Sequence, residues 1–101
     1  MNVKIYKYSL EVKDSQIINV PANSTAISIK SQNEIPVLYA LVDEECKDQG
    51  QIRIECRGTG HKLDGKEPIE IIETLLFRKG NLVLHFFTHR IPIIIEKEGQ
   101  S

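Results

Sequence analysis

Between Ile52 and Arg57 the chain alternates strictly, with Ile52, Ile54 and Cys56 set against Arg53, Glu55 and Arg57. A period of two places the apolar side chains on one face of an extended strand and the charged ones on the other, so the run calls for a sheet that is buried on one side only. The rest of the chain agrees. It holds fifteen Ile against three Ala and one Met, and β-branched side chains lose rotamer freedom in a helix but pack well on a pleated surface.

Similar segments recur at short intervals, separated by Gly, Pro, Asn and Ser turns. Val3 to Val12 alternates on two registers, Val3 and Ile5 on one and Tyr6, Tyr8, Leu10 and Val12 on the other, which predicts a bulge or a strand end. Gln16 to Val20 is a short strand closed by Pro21. Ala26 to Ser31 puts Ile27 and Ile29 on one face. Val37 to Val42 is apolar throughout and reads as the central strand, forming a hairpin with the 52–57 run across the polar loop Asp43 to Gly50. Gly58 to Pro68 buries little. Ile69 to Phe77 is ambiguous: Pro68 and Gly80 bracket a short helix, whereas Ile69, Ile71, Leu75 and Phe77 fit a strand leading through the turn 78–81 into Leu82 to Thr88. The strand is the better fit. The pattern predicts an all-β fold, a small antiparallel sandwich or partly open barrel of about six or seven strands. Residues 1–90 form its single domain. Residues 91–101 form a C-terminal extension, whose Ile91, Ile93, Ile94 and Ile95 need cover as an edge strand or a strand exchanged with a second copy.

Composition narrows the partners. Thirteen basic against fourteen acidic side chains give a net charge of −1, which provides no overall field for gathering nucleic acid or anionic membrane. Six aromatic residues and no Trp disfavour a surface for stacking bases or sugars. No run approaches the roughly 20 apolar residues of a membrane helix, and the N-terminus alternates too early for a signal peptide. Cys46 and Cys56 are expected as reduced thiols in a cytoplasmic protein.

The strongest local feature is Arg57-Gly58-Thr59-Gly60-His61-Lys62. Two glycines two apart let successive N–H groups converge on an anion, with His61 and Lys62 adding donors and Arg57 a planar fork. The competing reading is a tight turn in which His61 satisfies a local carbonyl. The spacing matches neither a dinucleotide fingerprint nor a P-loop, and no cofactor is called for. His85 and His89 are four apart, which in a strand separates them by about 13 Å, so no metal site is expected. Cys56 faces inward, and Cys46 sits in an acidic loop, a poor setting for a thiolate nucleophile. Asp43, Glu44, Glu45 and Asp48 read as a solvated loop rather than paired acid–base groups. Arg53, Arg78, Lys79 and Arg90 join the 57–62 segment as a basic rim if the loops share one end, although arginines interleaved with Glu55 and Glu96 more often make an ordinary solvated face.

The segments Lys7-Tyr8-Ser9-Leu10, Val20-Pro21-Ala22, Ile27-Ser28-Ile29, Leu38-Tyr39-Ala40-Leu41-Val42-Asp43, Gly58-Thr59-Gly60-His61 and Val83-Leu84-His85-Phe86-Phe87 occur in that order. Over roughly residues 5 to 88 the chain resembles a family of small bacteriophage and prophage proteins catalogued as a domain of unknown function. It departs from that pattern with Tyr39 in place of Trp, a longer acidic loop and the tail from Arg90. The resemblance implies phage origin and strand order and carries no catalytic role. The expected function is a phage-encoded, non-enzymatic binding protein in the host cytoplasm, a counter-defence factor that sequesters a nucleotide-type signal or occludes a host protein. Its ligand-binding residues are Arg57, Gly58, Thr59, Gly60, His61 and Lys62, its partner is a phosphate-bearing small molecule or a host protein, and it is expected to be a homo-oligomer. A virion or assembly accessory protein is the alternative, and a small phosphoester hydrolase using His61 the third.

Overall fold

The computed structural model describes residues 2–63 and 69–91. Seven strands follow one another: β1 (Val3–Ser9), β2 (Ser15–Pro21), β3 (Thr25–Gln32), β4 (Ile35–Asp43), β5 (Gln49–Arg57), β6 (Ile69–Phe77) and β7 (Leu82–Ile91). They make two antiparallel sheets, one ordered β1-β4-β3 and the other β2-β5-β7-β6. The sheets pack as a sandwich and do not close into a barrel. The segment at 69–77 is a strand, because its partner β7 aligns Ile71, Leu75 and Phe77 with inward positions of its own. Among the described residues no helix is long and apolar enough to cross a membrane.

The core follows from the alternation. Leu38 and Ala40 of β4 stand between Tyr8 and Tyr6 of β1 and Ile29 and Ala26 of β3. From the other sheet come Ile52, Ile54 and Cys56 of β5, Leu75 and Phe77 of β6 and Phe86 of β7. The Phe77 and Phe86 rings meet at 6.1 Å in a tilted arrangement. Each such fully buried side chain contributes roughly 1.5–3 kcal/mol. An ion pair between Lys30 and Glu73, 2.8 Å, links β3 to β6 along one side of the sandwich.

Two expectations change, and a third is decided between its two alternatives. β4 and β5 are not a hairpin: they lie in different sheets, β4 pairing with β1 and β3, β5 with β2 and β7. The loop between them crosses the sandwich, and Asp43 holds its start by accepting the N–H groups of Asn2 and Glu45 at 3.2 and 3.0 Å. In β3 a bulge between Ala26 and Ser28 turns Ala26 and Ile29 both inward and leaves Ile27 exposed. The mixed register at the start of the chain resolves as a strand that ends at Ser9, with Val3 and Ile5 exposed and Leu10 buried beyond it.

The strand polarity gathers four connections at one end: the β1–β2 loop, the β3–β4 hairpin, the segment after β5 and the β6–β7 hairpin. Both hairpin tips carry consecutive non-glycine residues at positive φ, Asn33 and Glu34 in one (52° and 67°), Arg78 and Lys79 in the other (52° and 55°). The tips touch, the Arg78 N–H donating to the Glu34 carboxylate. Of the apolar tail, Ile91 ends β7; Ile93, Ile94 and Ile95 lie outside the described residues.

Candidate functional site

Gly58 to His61 forms a tight turn at the end of β5. The His61 N–H donates to the Gly58 carbonyl at 3.2 Å, and Gly60 in third place has φ +87°, the arrangement of a type II turn that favours glycine there. The His61 ring folds back so that its Nδ1 accepts the Gly58 N–H at 3.3 Å. His61 therefore satisfies a local amide, not the carbonyl expected of it, and the neutral ring carries its proton on Nε2. A Cβ at Gly58 would lie 3.1 Å from His61 Cε1. Two of the N–H groups expected to converge on an anion are thus consumed inside the turn.

The turn roofs a cleft of about 240 Å3 lined by Arg57, Gly58, Thr59, Gly60, His61, Leu63, Ile72, His85 and Phe87. Two cross-strand rows on the outer face of the four-stranded sheet make its floor. In one, Arg57, His85 and Thr74 stand side by side; in the next, Glu55, Phe87 and Ile72 do so. Phe87 is fully buried although it faces away from the core, and its ring meets that of His89 edge to face at 5.4 Å. His85 is held between two hydroxyls, with Thr59 Oγ1 2.7 Å from Nε2 and Thr74 Oγ1 2.9 Å from Nδ1. In a neutral imidazole one nitrogen donates and the other accepts, so one threonine donates to the ring and the other receives from it.

A family model described as a domain of unknown function, DUF7352, matches residues 1–94. The chain belongs to that family. No curated protein and no solved structure matches it. The DUF7352 match is longer at both ends than the span over which the motifs alone could be followed, and it contains every residue of the cleft.

In this DUF7352 chain the expected phosphate fork is otherwise engaged. Arg57 Nε donates to the Lys62 carbonyl at 3.2 Å, Nη1 to the carbonyls of Asp14 (2.7 Å) and Cys56 (2.8 Å), and Nη2 to the Glu55 carboxylate (2.7 Å). Glu55 and Arg57 side chains are only 7% and 15% exposed, so the guanidinium ties the turn to the sheet instead of projecting into solvent. Lys62 is exposed and contributes its carbonyl rather than a wall of the cleft. Arg78 and Lys79 share this end. Arg90 does not: it lies at the opposite end, donating to the Ala22 carbonyl at 3.1 Å and facing Glu70 at 3.5 Å.

A second hollow of about 330 Å3 opens on the other side of the turn, between the β1–β2 loop and the start of β7; Arg57, Gly58 and His61 belong to both. Cys56 lines it with its thiol pushed up by burial. At the far end, Asp43 accepts from Asn2, Glu45 and Asn23, and Glu44 accepts from Tyr6 and pairs with Lys4 at 3.0 Å. The backbone N–H donors hold the Asp43 carboxyl below its ordinary range, and the Tyr6 hydroxyl does the same for Glu44. Glu44, Glu45 and Asp48 are exposed, as expected of a solvated run, and the loop is in addition anchored at its start. Among the described residues no three potential metal ligands cluster.

Of the residues expected to bind, Arg57, Gly58, Thr59, Gly60 and His61 meet at the cleft. The structure adds Leu63, Ile72, His85 and Phe87 as walls and Thr74 as a positioning residue. His85 stands out in the sequence only as half of a His-x-x-x-His pair. Its pairing with Thr74 and Arg57 depends on strand register, which the sequence does not display.

Proposed function

We propose that this chain is a non-enzymatic binding protein that captures a nucleotide-type small molecule in the cleft beside Gly58–His61. In a phage-encoded protein acting in the host cytoplasm, such capture would serve counter-defence by removing a signal from solution. The observation that carries the reading is the concave site itself: a turn over two rows of the sheet, with apolar walls at Leu63, Ile72 and Phe87 and a polar hydroxyl at Thr59 oriented by His85. A small-ligand pocket combines those features, whereas occlusion of a host protein calls for a broader, flatter surface.

A thermal-shift screen with cyclic nucleotides and ADP-ribose derivatives tests it. A ligand at a hundred times its dissociation constant adds about 2.7 kcal/mol, which for a domain of this size raises Tm on the order of 10 °C. A shift that survives in wild-type protein with the compound recovered intact supports capture. Loss of the compound with time contradicts the non-enzymatic reading, and the absence of any shift contradicts capture altogether.

A further inference from the structure

We infer that the cleft takes the planar heterocycle of its ligand and that the phosphates stay outside it. This rests on the capture reading above and reverses the order of importance that the glycine turn implies in the sequence.

Three observations carry it. Arg57 and two of the turn's N–H groups, which would hold phosphate, are already committed: four donor contacts of Arg57 go to Glu55 and to three carbonyls, the N–H groups of Gly58 and His61 close the turn, and the exposed Lys62 lines no wall of the cleft. Turning Arg57 outward would leave Glu55 as a buried carboxylate without its cation, which is strongly unfavourable. The walls are apolar, formed by Ile72, Leu63 and Phe87, and the volume of about 240 Å3 lies below the range that encloses a whole drug-sized ligand. A flat ring fits that description and a charged phosphate chain does not.

The third observation concerns the polar edge. Both ring nitrogens of His85 are used by Thr59 and Thr74, so the imidazole offers its face rather than its edge to an incoming ring. The Thr59 hydroxyl, already oriented by His85, retains further hydrogen-bonding capacity. Reversing the direction of the Thr–His–Thr chain changes the His85 tautomer and converts the Thr59 hydroxyl from donor towards His85 to acceptor from it. The cleft can thereby meet either a donor or an acceptor on the ligand. The ligand class is an uncharged planar heterocycle with a mixed donor and acceptor edge, as in a nucleoside base.

The test compares adenosine, guanosine, cytidine and uridine with the matching 5′-monophosphates, ribose 5-phosphate and inorganic pyrophosphate, by thermal shift and by calorimetric titration. The expected result is binding of at least one nucleoside within about threefold of its monophosphate, no binding of ribose 5-phosphate or pyrophosphate, and loss of nucleoside binding by at least tenfold in Ile72→Asn. Ile72 is 56% exposed, so this variant should keep the fold, as its circular dichroism and unfolding midpoint will show; should it unfold, Leu63→Asn, also at an exposed position, replaces it. Binding of pyrophosphate or ribose 5-phosphate in competition with a nucleotide, with no nucleoside binding, overturns this inference while leaving capture intact. Failure of every nucleoside and nucleotide to bind overturns both.

Discussion

At the scale of single residues, Gly60 and Arg57 have opposite kinds of importance. Gly60 sits at φ +87° with open space where a Cβ would go, so its requirement is conformational and not steric. Gly60→Ala should cost about 1 kcal/mol in urea unfolding, with Gly60→Asn costing less because Asn tolerates that region better. Arg57 is demanded by what surrounds it. Glu55→Ala removes the carboxylate that Arg57 pairs with while leaving its carbonyl contacts, and should cost about 2 kcal/mol by the same measurement, below the full price of a stranded buried charge. Both requirements were only half legible. The Gly-x-Gly spacing announces a tight turn, but a strand residue such as Arg57 looks solvated until the loop that folds back over it is seen.

Among elements, strand identity was readable and strand pairing was not. Strict alternation locates β5 and an unbroken apolar run locates β4, since such patterning is a local property of the chain. Pairing is set by distant contacts, and the following strand was the wrong partner for β4 because the loop after Asp43 crosses between sheets. The Ile27 bulge escaped notice for a related reason: one extra residue shifts the inward set without altering composition. The β6–β7 hairpin was legible from Arg78-Lys79-Gly80-Asn81, though not its use of Arg78 and Lys79 themselves at positive φ. That choice is costly, since the first turn of such a hairpin favours glycine. Lys79→Gly should therefore raise stability by about 0.5–1 kcal/mol, seen as a higher urea midpoint with an unchanged m-value.

For the whole molecule, the near-zero net charge conceals two ends of different character. One carries the cleft with Lys62, Arg78 and Lys79; the other carries the acidic loop fastened by Asn2, Lys4 and Tyr6. The carboxyls of Asp43 and Glu44 lie below their ordinary values of 3.8 and 4.5 in the folded chain. Stability from these groups is complete above about pH 4.5 and is lost as pH falls through their lower folded-state values. Unfolding midpoints should accordingly fall with acid below that point, and the Asp43→Asn, Glu44→Gln double variant should show a shallower fall between pH 5 and pH 3. An equal slope in both proteins would place the acid sensitivity elsewhere. The central claim, that the cleft beside Gly58–His61 is where this protein meets its ligand, is tested most directly by following backbone amide resonances in a 15N-labelled sample during titration with the best-shifting nucleotide. Perturbations concentrated at Thr59, Gly60, His61, Ile72 and His85 are predicted; perturbations centred on the Asp43 loop or on the outer face of the three-stranded sheet would contradict it.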